Sequence, residues 1–234
     1  MTWNPTPANP SQGQATYGTA AVQTVLLTQA FAWMFAGLLL TAGIAFFVQG
    51  NETLLRFAGS NFMILLIGQL ALAWGIGLGI NRISATVALG LFFIYAASLG
   101  LTIGLIVSFY TTASVATAFF SAGAMFGGAA IYGATTKRSL ASMGGFLTMA
   151  VIGLFVAMIV NMFFSSGPLG LIISVVGVIL FTVLTAYYVQ SIQSGALVAQ
   201  TGSVEKAAVI GALSLYISFI NIFLFLLRII GGRE

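Results

Sequence analysis

The chain has no cysteine and no histidine, and only three of its 234 residues are acidic. Without cysteine it can form neither a disulfide nor a reactive thiolate. Without histidine it lacks the commonest acid–base side chain and the usual ligand for haem or zinc. The three acids, Glu52, Glu205 and Glu234, fall in loops or at the carboxyl terminus. No apolar segment therefore carries a carboxylate for relaying protons or holding a cation. Serines are plentiful, but no histidine or buried acid stands ready to activate one. These absences argue against an enzyme, a metal site or a cofactor. They also argue against a retinal protein, whose last helix needs a deep lysine; Lys206 stands at the start of the last apolar run and Lys137 in a loop.

Charged residues make up 4% of the chain and hydrophobic ones 60%, with a mean hydropathy of +1.12. A soluble domain has roughly a quarter of its residues charged. This chain has too few to coat a water-facing surface, and it reads as an integral membrane protein in a lipid bilayer. The net charge of +4 rests on lysines and arginines beside apolar runs, where they set orientation. It implies no nucleic-acid partner.

What is present divides into two parts. Residues 1–23 are a polar arm with prolines at 5, 7 and 10 and no charged side chain. The arm has no basic start and no cleavage pattern, so a signal peptide is not expected. Residues 24–234 contain seven apolar runs, roughly 24–49, 61–81, 85–110, 114–135, 141–165, 169–190 and 207–230. Each is near the ~20 residues that cross a bilayer. The joins are short, which forces successive helices to pack antiparallel. Among them, Asn51-Glu52-Thr53 is a formal glycosylation sequon, and the longest, Ser191 to Lys206, holds Gly195 and Gly202. Pro168 is assigned to the join after the fifth run.

Arg82, Lys137, Arg138 and Lys206 fall on the amino-terminal side, against Arg56, Arg228 and Arg233 on the other. Together with the Lys137-Arg138 pair in a very short loop, this balance predicts a cytoplasmic amino terminus and an external carboxyl terminus. Three GxxxG pairs, Gly75 and Gly79, Gly100 and Gly104, and Gly123 and Gly127, are read as places where helices approach closely.

The last run organises the rest. Ser214, Ser218, Asn221 and Arg228 sit at offsets of four, seven and fourteen. At about 100° per residue they share one face. That stripe suits a helix at the centre of the bundle. Gln69, Tyr95, Ser98, Thr102, Asn161, Tyr187 and Tyr188 are candidates to meet it, either as hydrogen-bonding links between helices or as the lining of a hydrated pore or ligand pocket.

The segments SLYISFINIFLFLLRIIGG (214–232), AYYVQSIQSG (186–195) and GATTKRSLASMGGFL (133–147) resemble those of the Bax-inhibitor-motif membrane proteins, in the right order on the right spans. The resemblance implies an all-α fold of seven transmembrane helices, six around a central seventh. It also implies a pH-sensitive calcium leak, suppression of cell death and, for some bacterial members, association with a membrane-anchored protease of the FtsH type. The leak is ascribed to acids ending helix six and on helix seven, with an arginine on helix two. Their equivalents here are Tyr188, Ser218 and Arg82. Both carboxylates are missing, so the shared-proton gate that two acids can form is not expected. The sequence thus predicts an accessory protein of the bacterial inner membrane that binds another membrane protein or complex. The alternative is a pH-insensitive leak for ions or small solutes, lined by Arg82, Tyr188, Ser218 and Asn221.

Overall fold

In the computed structural model, residues 20–164 and 166–231 are described. Most of the amino-terminal arm lies outside them, as do Arg233 and Glu234. The described residues form α1 (Ala20–Gln49), α2 (Glu52–Ser60), α3 (Phe62–Gly79), α4 (Ala85–Val107) and α5 (Thr112–Thr135). A 3-10 turn (Ala141–Met143) then leads into α6 (Gly144–Phe164), α7 (Gly167–Gln193), α8 (Ala196–Thr201) and α9 (Val204–Ile230). Seven helices, all but α2 and α8, are long and apolar enough to cross a bilayer. Helix is what such runs adopt in lipid, because each backbone N–H and C=O must find its partner within the segment.

Hydroxyl side chains start several of the spans. Ser84, Thr111, Ser166 and Ser203 each accept a hydrogen bond from a backbone N–H in the first turn of α4, α5, α7 and α9. Such caps satisfy donors that a helix start leaves unpaired. Pro168 lies in the first turn of α7 rather than in the join, where its missing N–H is not needed.

Two short helices were not apparent in the apolar runs. In α2, the Asn51 side chain accepts from the N–H groups of Thr53 and Leu54, so the sequon asparagine serves as a helix cap. Glu52 and Arg56 pair at 2.8 Å one turn apart, fully in the open, and so add little stability. Helix α8 lies between Gly195 and Gly202, with φ of 74° and 67°. Both are in the left-handed region that glycine adopts without a steric penalty, and they turn the chain from α7 back into α9.

Helix α9 is the centre: 67% of its most apolar stretch is buried, against 11% for α3 and 17% for α6. Helices α1, α3, α4, α5 and α7 pack on it directly, while α6 lies outside this ring against α7. The rings of Phe119 and Phe126 on α5 meet Phe219 of α9 edge-on at 5.6 Å.

The GxxxG pairs divide. A Cβ at Gly100 would sit 2.7 Å from Cβ of Ile44, and one at Gly104 2.8 Å from Cβ of Val48, so this pair lets α4 press onto α1. At Gly75, Gly79, Gly123 and Gly127 nothing among the described residues lies within 4 Å of that position. These four face away from the bundle, which corrects their reading as packing residues between helices of this chain. The close approaches fall at other glycines, with Gly133 against Ala186 and Gly177 against Phe225.

Candidate functional site

A buried polar seam joins α1, α3, α4 and α9. Thr41 is 3% exposed in the middle of α1, and its hydroxyl lies 2.9 Å from the carbonyl oxygens of Gly37 and Ala96 and 2.6 Å from the Tyr216 hydroxyl. Carbonyls only accept, so the single Thr41 proton goes to them and Tyr216 donates to Thr41. The bond path runs from α9 through α1 to α4. Gly37 leaves room for this arrangement, since a Cβ there would meet the rings of Phe92 and Tyr216 at 2.6 and 3.3 Å. Phe92 and Tyr95 pack against Tyr216 with ring centres 5.4 and 5.9 Å away. On the far side of α4, Gln69 donates to the Ser98 carbonyl at 3.0 Å and to the Thr102 hydroxyl at 2.7 Å. The seam is a set of satisfied hydrogen bonds between neutral groups, which ties helices together and leaves little free to bind a cation.

The residues singled out from the sequence do not converge. The Ser218 hydroxyl donates to the Ser214 carbonyl at 2.9 Å, and Asn221 donates to the Ile217 carbonyl at 2.8 Å. The stripe on α9 is therefore largely satisfied within its own helix, and the link across helices comes from Tyr216 instead. The Tyr188 ring meets that of Tyr187 edge-on, ring centres 5.5 Å apart. Arg82 is exposed at the turn between α3 and α4. Among the described residues, no hydrogen bond joins Arg82, Tyr188 and Ser218, and no group of three acids could hold a metal. Arg228 lies at the far end of α9, with its guanidinium against Gly170 and near Asn161.

A second cluster closes the amino-terminal face. The Gln190 side chain accepts from the Leu140 N–H at 2.6 Å and donates to the Arg138 carbonyl at 2.9 Å. A Cβ at Gly144 would meet the Tyr187 hydroxyl at 2.6 Å. With Gly133 on Ala186, the segment 133–147 is fastened to 186–195 along its length. The profile of the family described as "Inhibitor of apoptosis-promoting Bax1" matches residues 22–234. The chain belongs to the Bax inhibitor family. It is 40% identical over 221 residues to the inner membrane protein YbhL of Escherichia coli, covering 92% of this chain and 94% of that one. It is 44% identical over 209 residues to a protein of Deinococcus radiodurans, with 89% and 90% covered. It is 39% identical over 207 residues to YrjE of Lactococcus lactis, with 86% and 88% covered. In this Bax inhibitor family member, the two segments that resemble the family on the amino-terminal side are thus each other's packing partners.

Thr41 and Tyr216 were missed from the sequence. Thr41 is the lone hydroxyl between Gln29 and Gln49, and an isolated hydroxyl in so apolar a run was the available signal. Tyr216 stands two residues before Ser218 and so points away from the polar stripe of the last run.

Proposed function

We propose that this family member is an accessory protein of the inner membrane that docks against another membrane protein, and that it works neither as an enzyme nor by an acid-gated cation leak. The observation that carries the reading is the outward stripe of small residues on α3. Gly68, Ala71, Gly75 and Gly79 share one face of that helix, and among the described residues nothing lies within 4 Å of a Cβ position at the three glycines. Gly123 and Gly127 are open in the same way on α5. In lipid, apolar helices gain little from hydrophobic burial against each other; close backbone approach at small residues is what drives their association. Glycine stripes unused inside the bundle fit a second polypeptide.

The neutral interior supports docking over leakage, because the polar groups of the seam are already paired with one another. The resemblance points to an FtsH-type protease as the first partner to test. Co-reconstitution in lipid nanodiscs is expected to give a complex that survives purification. Calcium flux into proteoliposomes is expected to match that of empty vesicles. Flux that disappears in Arg82→Ala or Ser218→Ala would favour the leak reading instead.

A further inference from the structure

Helices α6 and α7 enclose an apolar groove of about 630 Å³, lined only by apolar residues that include Leu147, Leu154, Ala157, Leu169, Ile173 and Leu180. Along α7 the lining runs from Leu169 to Val183, about 21 Å at 1.5 Å per residue. Helical spacing continues the α6 face from Leu147 through Leu154 to Asn161. On α7, Gly170 follows Leu169 directly. Asn161 and Gly170 therefore stand at the head of the groove, on the same side of the membrane as the end of α9.

That end supplies Arg228. Its guanidinium rests on Gly170, and the Asn161 amide nitrogen is 3.2 Å from where a Gly170 Cβ would be. A side chain at Gly170 would occupy the space where these two nitrogens approach. Among the described residues the Arg228 side chain has no ion pair and no hydrogen bond. Asn161 is 8% exposed, and among the described residues its side chain, Nδ2 donor included, makes no hydrogen bond. A cation without a counter-charge and a buried, under-used amide thus meet at the interface end of a groove with no polar lining. Arg228 also complements the carbonyl end of α9, but that role involves neither Asn161 nor the groove.

We infer that Arg228, Asn161 and the α6–α7 groove form a binding site for an anionic glycerophospholipid, with its phosphate accepting from the guanidinium and from Nδ2 of Asn161 and one acyl chain along the groove. Arginine binds phosphate through paired charged hydrogen bonds, and the groove takes the chain out of bulk lipid without burying a polar group.

The full-length protein, purified in mild detergent and titrated with phosphatidylglycerol under native mass spectrometry, tests this inference. The expected result is retention of phosphatidylglycerol over phosphatidylethanolamine, with binding weakened roughly tenfold or more in Arg228→Ala. Asn161→Asp keeps the side-chain size but sets a negative charge beside the phosphate, and should also lose the lipid. Ala157→Phe fills the groove and should displace the lipid with Arg228 intact. Inorganic phosphate at the same concentration should not compete. Equal lipid binding by wild type, Arg228→Ala and Ala157→Phe, at unchanged melting temperature, would overturn the inference. So would phosphate competing as well as the lipid does. A photoreactive residue at position 157 that captures a polypeptide in native membranes, and no lipid, would show instead that the groove seats a partner helix.

Discussion

Replacing Tyr216 with Phe removes the donor to Thr41 but leaves the Thr41 hydroxyl bonded to the carbonyls of Gly37 and Ala96. Replacing Thr41 with Val does the opposite, and strands a buried phenol O–H among Phe92, Tyr95 and α1. Hydrogen bonds between membrane helices are worth about 0.6 kcal/mol on average, whereas an unsatisfied buried donor costs about 1–3 kcal/mol. Tyr216→Phe should therefore destabilise by about 0.5–1 kcal/mol and Thr41→Val by about 1–2 kcal/mol. The double variant should be no less stable than Thr41→Val alone. Reversible unfolding in mixed micelles measures all three, and equal costs for the two single variants would contradict the assigned donor direction. At this scale the sequence was least legible. Thr41 and Tyr216 lie 175 positions apart, and the polar spacing that drew attention to Ser218 and Asn221 does not reveal that both bond within their own helix.

Among the elements, α4 and α3 carry the same GxxxG spacing to different ends. Gly100→Val should destabilise the purified protein by at least about 1–3 kcal/mol, the usual cost of overpacking a tight contact, because Ile44 and the Thr41 carbonyl leave no room. Gly75→Val should leave its melting temperature unchanged, since none of the described residues lies within 4 Å of a Cβ there. Spacing identifies surfaces on which helices can approach closely; it does not say whether the approaching helix belongs to the same chain. The joins carry a parallel lesson. The Gln190 side chain holds the basic loop through Leu140 and Arg138, so Gln190→Ala should speed tryptic cleavage after Lys137 and Arg138 in inside-out vesicles. Cleavage no faster than wild type would mean that the flanking glycine contacts fix the loop unaided. Helix α2 is too short and too polar to register as an apolar run, and its start is marked only by Asn51, the cap of an amphipathic segment.

For the whole molecule, the seven spans were legible because bilayer thickness fixes the length of an apolar run, and the central place of α9 because its polar residues share one face and its sequence resembles the family's last helix. Which helices ring α9, and that α6 stands outside against α7, depend on side-chain fit that no run length encodes. The cytoplasmic amino terminus inferred from Arg82, Lys137, Arg138 and Lys206 is open to a clean test, as the chain has no native cysteine. A cysteine placed at Ser139 should react with an impermeant maleimide only in inside-out vesicles, and one at Thr53 only in right-side-out vesicles.

The docking reading predicts that glycines dispensable for stability are indispensable for company in the membrane. Extraction of native membrane patches without detergent, followed by weighing the released particle, reads this directly for wild type and for Gly75→Val combined with Gly79→Val. The wild-type particle should contain a second membrane protein, and the double-variant particle should have lost it at unchanged melting temperature. A lone chain in both particles would contradict the docking reading.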